Sequence, residues 1–260
     1  MLSLRPQPMS NLRLISYLLW VGTPILQAGV ALLIARRKLC DRFKFFFAYT
    51  IYRIAISVLL LIIYQATDKP YKEYFVVFYL GSVIEVGLTL AVIQELYDNT
   101  FAEYDALRGA AGALFRWGLA ILVLAAAVTA SSAAGSDISR LIAGIVTLYQ
   151  ALAVVRVGLL LLLFVVAAHL RLRLTYYVFG IALGFALYAS VHLAAIAVRS
   201  SVGAVANIPY NLICSSAYTC AALVWVVYLL RKEPSAARAD SVPEHQLREW
   251  NDALMEVIRR

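Results

Sequence analysis

From Leu141 to Leu170 the chain runs thirty residues without an acidic side chain, and its one arginine, Arg156, stands near the middle of the run. Roughly 20 residues rising about 1.5 Å each already cross the hydrocarbon core of a bilayer, so the stretch is expected to be a transmembrane helix. An ionisable residue at that depth is costly, and such residues usually face a bundle interior and pair with something. Arg156 therefore calls for further helices around it and a polar interior between them.

The remainder of the sequence agrees with that demand. Of its 260 residues 63% are hydrophobic and 15% charged, with a mean hydropathy of +0.80, against about 45–50% and 25% in an ordinary soluble domain. The net charge of +8 is carried in short clusters beside apolar runs rather than in a basic domain, which argues against nucleic acid as a partner. The lipid bilayer is the partner that composition implies.

Seven apolar segments follow one another: Leu12–Ala35, Phe45–Gln65, Tyr74–Tyr97, Gly109–Ala130, Ile138–Leu170, Tyr176–Val198 and Asn207–Leu230. Asp68-Lys69-Pro70, Ser131–Asp137 and Ser200–Gly203 break them as turn-forming stretches. The fold class expected is all-α, an integral membrane bundle of seven transmembrane helices over residues 1–231. A flexible linker over 232–243, rich in Pro, Ser and Ala, leads to a short tail helix over 244–260. In that tail Leu247, Trp250, Leu254 and Val257 recur at spacings of three, four and three, which makes one apolar stripe for docking on the bundle, the membrane surface or a cytoplasmic partner. Lysines and arginines in the short connections divide 14 against 6. The excess places the N-terminus outside and the tail in the cytoplasm.

Phe43–Tyr52, F-K-F-F-F-A-Y-T-I-Y, is dense in aromatics at the start of the second segment and fits a belt at the cytoplasmic headgroups. At about 100° per residue, polar residues gather on single helix faces. The second segment aligns Tyr49, Arg53, Ser57 and Tyr64; the third aligns Ser82, Glu85 and Thr89. Tyr149 lies two turns before Arg156 on its face, Gly180, Gly184, Tyr188 and His192 step by four, and Asn207, Asn211, Cys214 and Tyr218 line up on the last segment. Glycines at such positions let helices approach closely. The helix rise puts Arg53 roughly 13 Å and Glu85 roughly 17 Å into adjacent segments from opposite ends. They are the expected intramembrane ion pair, which leaves Arg156 to be answered by a ligand carboxylate, a phosphate or helix carbonyls. His192 is expected to hydrogen-bond to Tyr188, one turn away.

The last segment has no lysine for a retinal Schiff base, and no zinc-protease, nucleophile-elbow or phosphate-loop motif occurs. Cys214 and Cys220, about 240° apart on a helix, cannot share a metal. Neither metal, cofactor nor enzymatic activity is expected. The topology resembles that of the seven-span input modules of bacterial sensory receptors, which implies a bacterial inner membrane. The function expected is a sensor or binding module for a small anionic or amphiphilic ligand, with Arg156, Tyr149, Tyr188, His192, Asn211 and Tyr218 lining a polar cavity. The alternatives are a small-molecule transporter using the same cavity and a structural subunit that recruits a cytoplasmic partner through its tail.

Overall fold

The computed structural model describes residues 9–66, 71–102, 137–169, 174–202 and 207–231, with single positions between 109 and 131. Six helices order these residues: α1 (Met9–Arg36), α2 (Lys44–Ala66), α3 (Tyr71–Thr100), α4 (Asp137–His169), α5 (Tyr176–Val202) and α6 (Asn207–Leu230). Among the described residues there is no strand. Five apolar stretches, Lys44–Ile63, Val76–Thr100, Ala151–His169, Tyr176–Val198 and Tyr210–Leu230, are long enough to cross a membrane. The single positions between 109 and 131 are helical, and Trp117, Ile121, Leu124 and Val128 among them are exposed. The rest of the Gly109–Ala130 segment and all of 232–260, with Leu247, Trp250, Leu254 and Val257, lie outside the described residues.

The helices close a ring. α1 packs on α2, α2 on α3, α3 on α4, α4 on α5, α5 on α6 and α6 back on α1, while α3 also touches α5 across the middle. Less than half of each apolar span is buried. Side chains such as Ile62, Leu80, Val154, Leu161 and Leu230 point outward, an arrangement that suits lipid as the surrounding solvent.

One end of the ring is tied tightly. α1 stops where Lys38 takes a left-handed conformation, φ 56°. Its N–H bonds back to the Ala35 carbonyl at 3.1 Å while Leu39 N–H reaches Ile34 at 3.0 Å; this pair of bonds satisfies carbonyls that a helix end otherwise leaves open. α2 begins without a cap of its own. Glu95 of α3 supplies it, accepting from the Phe45 N–H at 2.9 Å and the Phe46 N–H at 3.0 Å, so an anion sits where the helix dipole and the open amides want one. Arg37 donates to the Leu230 carbonyl at the end of α6. Arg42 donates to Asn99 at 3.3 Å and Thr175 at 2.9 Å.

Beneath that end lies an aromatic layer. Phe46, Phe185 and Trp225 meet edge-on or tilted at centroid distances of 4.9–6.0 Å, and Tyr49 packs on Phe185 at 5.3 Å. Phe43, Phe46 and Tyr49 are fully buried. These three are therefore core rather than a headgroup belt, which corrects the reading of Phe43–Tyr52. Their spacing of three sets one face of α2 inward, and only residues such as Phe45 face out. α5 and α6 press together at two glycines: a Cβ on Gly184 would collide with Trp225, and one on Gly180 with Tyr228.

Candidate functional site

Above the aromatic layer the same faces turn polar. Arg53, one turn after Tyr49 on α2, reaches α3 and α6 at once. Its Nη1 donates to Glu85 Oε2 at 3.0 Å, its Nε donates to the Tyr218 hydroxyl at 3.1 Å, and its guanidinium carbon stands 4.4 Å over the Tyr218 ring. Tyr218 is the hub. Gln27 Nε2 of α1 donates to its hydroxyl at 2.7 Å, and the Tyr49 hydroxyl lies 3.4 Å away. One phenol thus joins α1, α2 and α6, and Arg53 carries the network to α3. Buried hydrogen bonds to a charged group are among the stronger ones, and removing a member strands its partner.

This network forms one wall of a cleft of about 280 Å³. Thr23 of α1, Ser57 of α2, Ser82 and Glu85 of α3, Tyr188 of α5 and Ser215 of α6 supply polar groups around Arg53 and Tyr218, while Ile56, Leu60 and Phe78 supply apolar surface. Phe78 and Ser215 are exposed, so the cleft opens at the bundle surface. Tyr218, on the cleft lining, packs in turn on the aromatic layer, its ring 6.1 Å from Trp225. A few polar groups converging in a concave, half-apolar space is the usual form of a small-molecule site.

The other expected site residues fall in different places. Arg156 is 1% exposed, and among the described residues nothing accepts a hydrogen bond from its Nε or either Nη. Its guanidinium carbon lies 5.5 Å from the Tyr188 ring. Tyr188 borders the cleft, whereas Arg156 does not. His192 is buried, stacks on Tyr188 at 5.5 Å, and bonds through Nε2 to the Tyr210 hydroxyl at 3.1 Å. The partner expected for it was Tyr188; a stacked ring offers its face, and the hydroxyl comes from α6 instead. Asn211 is exposed and does not border the cleft. The Tyr149 side chain lies outside the described residues. Gln27 and Thr23, which are also one turn apart, were not singled out from sequence; their four-residue spacing in an apolar helix is the signal that marks them.

The three cysteines are free thiols, and the described residues hold no group of three metal-ligating side chains. Compared with protein-family models, curated proteins and solved structures, the chain matches none.

Proposed function

We propose that this chain is a non-enzymatic binding module of a bacterial inner membrane, with seven spans, its N-terminus outside and its C-terminus in the cytoplasm. It takes the polar head of a small amphiphile into the cleft beside Arg53 and Tyr218. The observation that carries this reading is the form of the cleft: polar on the Arg53–Glu85–Tyr218 wall, apolar along Ile56, Leu60 and Phe78, and open at the bundle surface. A chain whose five apolar spans put lipid around that opening gives an amphiphile a route from the bilayer, with its tail left among the outward-facing apolar side chains. The Arg53–Glu85 pair holds α2 and α3 in register around the site.

The test compares binding with flux. In proteoliposomes the protein should retain a fluorescent amphiphile in proportion to its own amount and should not speed its release across the membrane. Accelerated release that Glu85→Gln abolishes would make the cleft a transport pathway instead. No retention of any amphiphile would leave the polar network as internal glue of a structural subunit.

A further inference from the structure

The ligand reading leaves the charge of the head group open, and Arg156 addresses it. Two arginines stand near Tyr188, Arg53 with it on the cleft lining and Arg156 beside its ring, and the carboxylate bonded there among the described residues, Glu85, pairs with Arg53. Glu85 engages Arg53 through Oε2 and leaves Oε1 without a hydrogen bond, and Arg156 likewise has five N–H donors and no acceptor among the described residues. A guanidinium cannot shed its proton to escape burial, and its planar fork fits the paired oxygens of a carboxylate or phosphate. A charge buried without a counter-ion is a standing cost in a bilayer interior. Tyr188 links Arg156 to the cleft: its ring lies 5.5 Å from the Arg156 guanidinium carbon and borders the cleft. Arg53 contributes on the cleft side, since its Nε and Nη1 are engaged and Nη2 has no partner among the described residues.

We propose that the head group bound here is an anion, a carboxylate or a phosphate ester, and that Arg156 reads its charge from behind Tyr188. A change of the Tyr188 rotamer opens the buried Arg156 to the cleft, and an anion that draws the guanidinium forward keeps it open. This inference rests on the cleft being a ligand site, and it adds the charge class of that ligand and the residue that selects it.

The test uses full-length protein in nanodiscs and four probes with one tail: decanoate, decyl phosphate, decanol and decylammonium. The wild type should bind at least one of the two anions about tenfold or more tightly than decanol, and decylammonium more weakly still. Which anion leads separates a carboxylate from a phosphate head. In Arg156→Met the anion advantage should shrink to about threefold or less while the decanol affinity stays within about threefold of wild type. Arg156→Lys, which keeps the charge and loses the fork, should retain part of the preference. Wild type binding decanol or decylammonium as tightly as both anions would overturn the inference, even if the variants did not fold, and so would an undiminished preference in Arg156→Met. Both outcomes leave the cleft reading standing. Failure of all four probes to bind removes the cleft reading itself, and this inference with it.

Discussion

Arg53 and Arg156 share one interior in opposite circumstances. Arg53 is bonded to Glu85 and Tyr218 and keeps about a fifth of its side chain exposed; Arg156 is fully enclosed, with the Tyr188 ring 5.5 Å away and no hydrogen-bond acceptor among the described residues. Removing a charge should therefore cost stability at the Arg53–Glu85 pair and not at Arg156. Glu85→Ala strands Arg53 beside its lost partner, and since the guanidinium is not wholly enclosed the loss should sit at the lower end of the range for a broken buried pair, about 3 kcal/mol. The double variant Arg53→Met/Glu85→Leu removes both charges and should recover most of that loss, because well-packed apolar replacements of buried pairs are often neutral. Arg156→Met leaves no stranded partner among the described residues and fills a similar volume, so it should not lower stability. Thermal unfolding in one detergent, with no added ligand, ranks all three; a large drop for Arg156→Met would identify the side chain as structural.

At the scale of the helix, α5 and α6 owe their close approach to hydrogen atoms where other residues carry a Cβ. Gly184→Ala drives a methyl into Trp225, whose Nε1 is committed to the Ile181 carbonyl at 3.1 Å, so the indole cannot step aside without losing a buried bond. The expected cost is about 1–3 kcal/mol from overpacking. Gly29→Ala on α1 meets nothing within 4 Å and should be neutral or slightly stabilising; unfolding midpoints of the two variants side by side check the contrast. Element by element, what sequence made legible was whatever one helix face and one depth estimate determine. Arg53 and Glu85 meet because adjacent segments present them at matching depth, and the Gly180–Gly184 step marks a close contact. Partners that come from a distant helix leave no such trace. Tyr210 reaches His192 from α6, Gln27 reaches Tyr218 from α1, and Glu95 caps α2 from α3, and intrahelical spacing is silent about all three. The aromatics Phe43, Phe46 and Tyr49 misled for another reason: a headgroup belt and a buried layer ask for the same residue types, and only the neighbouring helices decide between them.

For the whole molecule, a tied end and an open cleft face opposite sides of the ring. The tied end carries Arg36, Arg37, Lys38, Arg42 and Lys44, and the proposed orientation puts it in the cytoplasm. Cys40 is a native reporter there, partly exposed between α1 and α2. With Cys214 and Cys220 replaced by alanine, a membrane-impermeant maleimide should label Cys40 in inverted vesicles and spare it in intact spheroplasts; the reverse pattern would invert the bundle. The central property proposed for the molecule is ligand binding in the cleft. Ser215 lies on its exposed rim, so Ser215→Trp should fill the mouth while pressing little on the core. The measurement that tests this most directly is the thermal midpoint of wild type and Ser215→Trp across a decyl amphiphile series. The account predicts that a bound amphiphile at a hundredfold over its Kd stabilises wild type by about 2.7 kcal/mol and leaves Ser215→Trp unshifted. Equal shifts in both proteins, or none in the wild type, would contradict it.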